Sequence, residues 1–150
     1  MPSVLFVCTG NLHRSPMAEY FFKDKIGQNP AWQIASAGTY TRNGLPTTPE
    51  VITVMNQYGI NARNHRSQEI NRILLENYNL ILCLASNHKE ALQAEFPDLA
   101  ERIFLLSEMG GKTVDVEDPI GGPMLEFQAA AREINEYLTT GFERIVELAG

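Results

Sequence analysis

The sequence predicts an α/β domain with a mostly parallel sheet. Val4-Leu5-Phe6-Val7, a continuously apolar run, reads as a strand buried on both faces, and residues 78–84 read as a second strongly apolar strand. Segments with helical spacing follow each of them after a short turn, and this alternation of strand and helix is the signature of the α/β class.

The first strand is β-branched and apolar and is ended by Thr9-Gly10-Asn11. A helix follows almost at once: Ser15 is a good N-cap, Pro16 suits the first helical position, and Met17, Tyr20, Phe21 and Ile26 recur at roughly helical steps before Gly27. Residues 32–35, opening on Trp32, form the second predicted strand, closed by Ser36-Ala37-Gly38. Thr48-Pro49 opens another helix, whose Val51, Val54, Met55 and Tyr58 share one face and whose Gly59 sits at the C′ position. After the strand at 78–84, residues 86–96 read as a helix ended by Pro97, and residues 102–106 as a fourth strand. Residues 107–123 form a long loop rich in glycine and acid. One long final helix is expected beyond it, because Phe127, Ala131, Ile134, Leu138, Phe142 and Ile145 recur at three- and four-residue steps and make a core stripe.

At 150 residues the chain is expected to be one domain, 1–150, since no composition shift or linker divides it. Hydrophobic residues make up 44% and charged residues 20%, which excludes intrinsic disorder. Twelve Lys and Arg against eighteen Asp and Glu give a net charge of −6, so nucleic acid and anionic membrane surfaces are not expected partners. No apolar run approaches the roughly 20 residues of a membrane-spanning helix, and no secretory signal opens the sequence; a cytoplasmic location is the expectation. The two cysteines, Cys8 and Cys83, form no CxxC pair, and no Cys/His cluster has zinc-like spacing, so neither a disulfide framework nor a metal site is expected. Gly110-Gly111-Lys112-Thr113 resembles the end of a nucleotide-binding loop, but Leu106 stands where the required glycine would be.

In α/β sheets ligands bind beyond the carboxyl ends of strands, which directs attention to the turn after Val7. It reads Cys8-Thr9-Gly10-Asn11-Leu12-His13-Arg14-Ser15, with five residues between a cysteine and an arginine, set between a strand end and a helix start. Such a loop can wrap a tetrahedral anion with its N–H groups, the helix adds unpaired donors and a positive dipole end, and Arg14 offers a planar fork for two phosphate oxygens. The same donors favour thiolate over thiol at Cys8, which marks it as a nucleophile. Asn11 tolerates left-handed backbone and can tie loop groups together, while Ser15 can offer its hydroxyl to the Cys8 sulfur. The bland alternative is a small buried cysteine beside an ordinary capped helix.

Val7-Cys8-x-Gly10-Asn11-x-x-Arg14-Ser15-Pro16-Met17-Ala18-Glu19 resembles the active-site signature of the low-molecular-weight protein tyrosine phosphatases. The resemblance continues through Ser36-Ala37-Gly38-Thr39, His65-Arg66, Leu80-Ile81-Leu82-Cys83 and Asp118-Pro119. It implies a four-stranded parallel sheet in flavodoxin-like order with helices on both faces, no cofactor, and hydrolysis of phosphomonoesters, typically on tyrosine. On that reading Cys8 attacks phosphorus and residues 9–15 (Thr9, Gly10, Asn11, Leu12, His13, Arg14, Ser15) bind the phosphate, with Asn11, Ser15 and His65 in support. Expelling the leaving group needs an acid. Asp115, Glu117 and Asp118 are all available in the late loop; Asp118, stiffened by Pro119, matches the family's general acid and is the expected one. The expected partner is a phosphotyrosine protein or a small aryl phosphate, and the expected state a monomer.

Three features depart from the family pattern. His13 stands where many members carry a second cysteine; a solvent-facing side chain is expected there, with added positive potential the alternative. Ile120-Gly121-Gly122 replaces the tandem aromatic residues that often wall the pocket, and Arg42 lies where an aromatic is common, so the expected walls are Tyr40, Arg42 and Ile120. Cys83, inside an apolar strand, reads as a small buried hydrophobe. Two rivals accompany the phosphatase reading: an arsenate reductase, which would need a second redox-active cysteine, and a non-catalytic phosphate-binding module.

Overall fold

The computed structural model describes residues 1–27 and 29–150. Its centre is the strand β1 (Ser3–Cys8), whose six residues are all buried. β2 (Gln33–Gly38), β3 (Leu80–Cys83) and β4 (Ile103–Leu105) complete a fully parallel sheet in the order β2-β1-β3-β4, the flavodoxin-like order that was expected. Alternation along β1 splits the core. Val4, Phe6 and Cys8 face one layer with Leu80 and Leu82, whereas Leu5 and Val7 face the other with Ile81, Cys83 and Ile103.

The first layer is covered by α1 (Arg14–Ile26), α2 (Pro49–Gln57), α5 (Met124–Thr140) and α6 (Phe142–Ala149), and the second by α3 (Arg72–Glu76) and α4 (Ser86–Glu95). Helices on both faces are what a parallel sheet requires, because neither face can be left in water. Each large apolar side chain buried between the layers contributes about 1.5–3 kcal/mol.

The structure departs from the sequence expectations at several places, β3 and β4 being shorter than the expected strands 78–84 and 102–106. Helix α1 begins at Arg14, with His13 at the cap, because the Ser15 hydroxyl is engaged under the loop instead of capping the helix. Residues 36–38 continue β2 and do not end it: the register carries through Val7↔Ala37 and Cys8↔Gly38. The expected final helix is two. Gly141 packs so closely on Met109 that a Cβ there would lie 2.5 Å from the Met109 Cβ, and the chain turns at this contact, although Phe127, Ala131, Ile134, Leu138, Phe142 and Ile145 all join the same core layer. The short α3 was not expected; Asn71 caps it through a bond from the Leu74 N–H to Oδ1 (2.9 Å). Residues 107–123 begin in a 3-10 turn (Leu106–Gly110) and then cross the carboxyl end of the sheet.

That crossing is tied down at defined points. Ser107 Oγ donates to Val114 O and accepts from its N–H (2.7 and 2.9 Å), and the N–H of buried Val116 donates to Leu84 O (2.8 Å). The residues after β1, the turn after β3 and this crossing segment therefore meet at one edge.

Candidate active site

Cys8 is the last residue of β1 and is 2% exposed. The loop after it is laid across the end of β2: Thr39 N–H donates to Cys8 O (2.9 Å) and Tyr40 N–H to Thr9 O (3.0 Å). Gly38 makes that approach possible, since a Cβ there would stand 2.5 Å from Thr9 O. Asn11 then turns the loop back with φ 56°, a left-handed conformation that Asn tolerates and that its side chain here secures. Asn11 Nδ2 donates to Ser15 Oγ (2.8 Å) and to Ser36 Oγ (2.9 Å), and Oδ1 accepts from Gln68 N–H (3.0 Å).

Ser15 Oγ lies 2.9 Å from Cys8 Sγ, so the loop's last residue reaches back to its first. Among the described residues, none of the backbone N–H groups from Gly10 to Ser15 has an acceptor in the protein. Six consecutive donors around one cysteine, at the start of a helix, form an anion cradle without further ornament. Arg14 is 6% exposed; its Nη1 donates to Val116 O (2.9 Å), while Nη2 stands 3.7 Å from Asp118 Oδ2.

Beneath the loop runs a buried polar network. Ser36 Oγ donates to Glu19 Oε1 (2.6 Å), Lys23 pairs with the other Glu19 oxygen, and His65 Nε2 lies 2.7 Å from Asn11 O. Burial pushes the His65 pKa down, opposed by its bond to Asn11 O and by the Glu19 charge. Neutral His65 donates from Nε2 to a loop carbonyl and so fixes the residue with the left-handed turn.

A cavity of about 140 Å³ opens above Cys8, lined by Thr9, Gly10, Leu12, His13, Arg14, Asp118 and Ile120. Of the expected walls, Ile120 lines it. Tyr40 and Arg42 do not; both are exposed and lie outside the lining, because the 39–43 segment is spent on holding the loop from the side: Tyr40 through its N–H to Thr9 O, Asn43 through its Oδ1 to the Glu69 N–H (2.8 Å). Asn11, Ser15 and His65 lie under the loop. The three acids of the late segment separate cleanly. Asp115 spends both carboxylate oxygens on the start of α4, accepting from Ser86 N–H and Oγ (2.8 and 2.9 Å); Glu117 is exposed and outside the cavity lining; Asp118 alone lines the cavity.

His13 is the largest correction. It is 9% exposed, not solvated, with its ring packed edge-on to Phe127 (centroids 5.4 Å apart, 84° between planes) and Nδ1 3.3 Å from Asp118 Oδ1. His88 was missed altogether. It is 1% exposed on the first turn of α4, and Nε2 lies 2.8 Å from Thr9 Oγ1. Burial first, and the Arg14 charge second, push its pKa down to about 4, against Asp115 and Asp118, so the ring is neutral. Nδ1 is buried with no partner among the described residues, and a proton there would be an orphaned donor; the proton therefore sits on Nε2 and is given to Thr9. The signal available in the sequence was its place, just past the carboxyl end of β3, beside the loop that follows β1.

Comparison with known proteins agrees with this geometry. The family model described as low molecular weight phosphotyrosine protein phosphatase matches residues 3–147. The chain belongs to that family. Among solved members, the low molecular weight protein tyrosine phosphatase of T. tengcongensis is 36% identical, with a TM-score of 0.89 over 96% of this chain and 99% of its own. The arginine phosphatase of Geobacillus stearothermophilus superposes with a TM-score of 0.90 at 31% identity, covering 97% of this chain and 93% of that one. An arsenate reductase of Staphylococcus aureus is 33% identical over 88% of this chain and 89% of its own length. The family thus places three named chemistries on one scaffold.

Cys83 bears on the last of them. It is fully buried, burial drives its thiol pKa far up, and it belongs to the core layer of Val7, on the sheet face opposite Cys8. These are the chain's only two cysteines. Among the described residues no second protein sulfur shares the sheet face of Cys8, so an arsenate reductase on this chain would have to draw its second thiol from outside the protein. Among the described residues, no helix is long and apolar enough to cross a membrane.

Proposed function

We propose that this protein, as one domain of residues 1–150, hydrolyses aryl phosphate monoesters, phosphotyrosine in proteins being the natural substrate class. The observation that carries the reading is the set of unpaired donors from Gly10 to Ser15 wrapped around Cys8, with Arg14 and Asp118 converging on the same cavity. Cys8 thiolate attacks phosphorus; the S–P bond forms as the P–O bond to the leaving group breaks, and Asp118 gives that oxygen a proton. Thr9 to Ser15 and the Arg14 fork hold the non-bridging oxygens, whose charge is what the transition state must stabilise. Asp118 carboxylate then takes a proton from water as the water oxygen bonds to phosphorus and sulfur leaves as thiolate.

An arginine-phosphatase reading is favoured by the 31% identity to the G. stearothermophilus enzyme and uses the same steps with a nitrogen leaving group. Leu12 and Ile120 argue for the aryl substrate, since an apolar wall suits a ring better than a guanidino group. Cytoplasmic action as a monomer, on protein and with neither nucleic acid nor membrane, completes the proposal; a reducing compartment keeps a nucleophilic thiol free.

Steady-state hydrolysis of p-nitrophenyl phosphate, followed by a comparison of phosphotyrosine and phosphoarginine peptides, tests both readings. The expected result is vanadate-inhibited turnover that Cys8→Ser abolishes while phosphate still binds, with phosphotyrosine preferred. Turnover by Cys8→Ser would refute the covalent mechanism, and preference for phosphoarginine would transfer the substrate assignment.

A further inference from the structure

Resting on the phosphatase reading, we propose that His13 is a positioning residue for the proton donor: it holds one oxygen of Asp118 as an acceptor and leaves the other to carry the transferred proton. The two carboxyl oxygens have different surroundings. Oδ1 accepts the Ile120 N–H at 3.1 Å and stands 3.3 Å from His13 Nδ1. Oδ2 has no such donor; its neighbour is Arg14 Nη2 at 3.7 Å, beyond hydrogen-bond distance and on the side of the phosphate-binding fork.

A carboxyl oxygen that already accepts two N–H groups is a poor place for a proton. The acid form of Asp118 therefore carries its hydrogen on Oδ2, directed toward the oxygen that leaves phosphorus. His13 can impose this only if its own ring is fixed, and Phe127 of α5 supplies that constraint edge-on at 5.4 Å, with the side chain 9% exposed. The contact also spans 105 positions of sequence, so it docks the late loop onto the phosphate loop.

The energetic consequence follows the reaction. While Asp118 is an acid, His13 Nδ1–H makes an ordinary neutral bond to Oδ1. As the proton departs, the carboxyl becomes carboxylate and the same bond becomes charge-assisted, hence stronger in the transition state than in the ground state. In the second step the carboxylate is already formed, and His13 keeps Oδ2 free to accept the proton from water.

The experiment is a double-mutant cycle read on two esters. His13→Ala is expected to lower kcat about tenfold on phenyl phosphate, whose poor leaving group needs the proton, and to leave 2,4-dinitrophenyl phosphate within about twofold. His13→Asn, whose side-chain amide can replace Nδ1–H, restores most of the loss. In the Asp118→Ala background His13→Ala has no further effect, because no carboxyl remains to be oriented. Equal losses on the two esters, or a loss that persists without Asp118, would overturn the proposal and leave His13 a packing residue. A second readout separates this from the phosphatase reading itself. In long-range proton–nitrogen spectra of the wild type at neutral pH, Nδ1 is expected to carry a slowly exchanging proton that disappears in Asp118→Ala; an unprotonated Nδ1 refutes the proposal even where turnover is intact, and absent turnover with this signature present refutes only the phosphatase reading.

Discussion

Ser15 stands 2.9 Å from the Cys8 sulfur and also receives Asn11 Nδ2, so its own hydroxyl hydrogen is the one free to point at Sγ. A donor at that position favours thiolate twice: before attack, and again when sulfur leaves phosphorus. Only the second use limits turnover, because the cradle and Arg14 already hold the free enzyme ready. Ser15→Ala is therefore expected to slow breakdown of the phosphoenzyme by roughly ten- to a hundredfold, as for loss of one hydrogen bond to a charged group. The sign in rapid-mixing experiments is a burst of p-nitrophenol at an unchanged rate followed by a slower steady state than that of the wild type, with vanadate affinity little changed; a proportional fall in the burst rate would move the role of Ser15 to the first step. Residues such as these were legible because Cys8, Asn11, Arg14 and Ser15 are contiguous and their spacing is itself the geometry. His88 is 79 positions from Thr9, and the Glu19–Ser36 bond joins two elements, so no local pattern announces either contact. His13 misled for a related reason: what buries it is Phe127, on a helix far along the chain.

At the scale of elements, the site is made by strand ends and helix starts meeting at one edge. β2 is indispensable to it although it supplies no reacting atom, since Gly38 is the surface on which the phosphate loop rests. Gly38→Ala would set a methyl 2.5 Å from Thr9 O and 3.1 Å from Asn11 N, both backbone atoms that cannot swing aside. The loop must lift, at an expected cost of about 1–3 kcal/mol in stability and with a larger loss in kcat/KM than in fold, because six donors lose their aim together. Urea titration and p-nitrophenyl phosphate kinetics on the same sample check this; a variant with wild-type kcat/KM would show that the loop does not depend on Gly38. Strands β1 and β3 were legible from apolar runs alone, since burial on both faces leaves no other composition. The break at Gly141 was not, because the stripe of α5 continues in phase into α6 and the turn is dictated by Met109 from another element. Five-residue α3 is too short to show a period.

Across the whole molecule, the two core layers carry buried histidines whose neutrality is a condition of folding. His88 bridges α4 to the phosphate loop and His65 bridges the 60–70 segment to Asn11, each with its pKa lowered mainly by burial, His88 to about 4. In the unfolded chain both titrate near 6.5. Between pH 6.5 and 4 the unfolded state therefore binds protons that the folded state refuses, and stability falls as pH falls through that window; above 6.5 both states are neutral and the contribution is complete. For His88 the slope is about 1.4 kcal/mol per pH unit, a loss on the order of 3 kcal/mol by pH 4, and His65 acts in the same direction. Carboxylates act lower. Glu108 is partly buried, yet Lys89 and the Leu105 N–H outweigh that burial and hold its pKa below the usual value, so its contribution persists to more acid pH and is lost after the histidines'. His88→Gln keeps a side-chain amide within reach of Thr9 while removing the titration. Urea denaturation at pH 7.5 and at pH 4.5 is expected to show the variant less stable than wild type at the higher pH and at least level with it at the lower. Parallel losses in the two proteins would mean that His88 takes up its proton in the native state over the same pH range as in the unfolded chain.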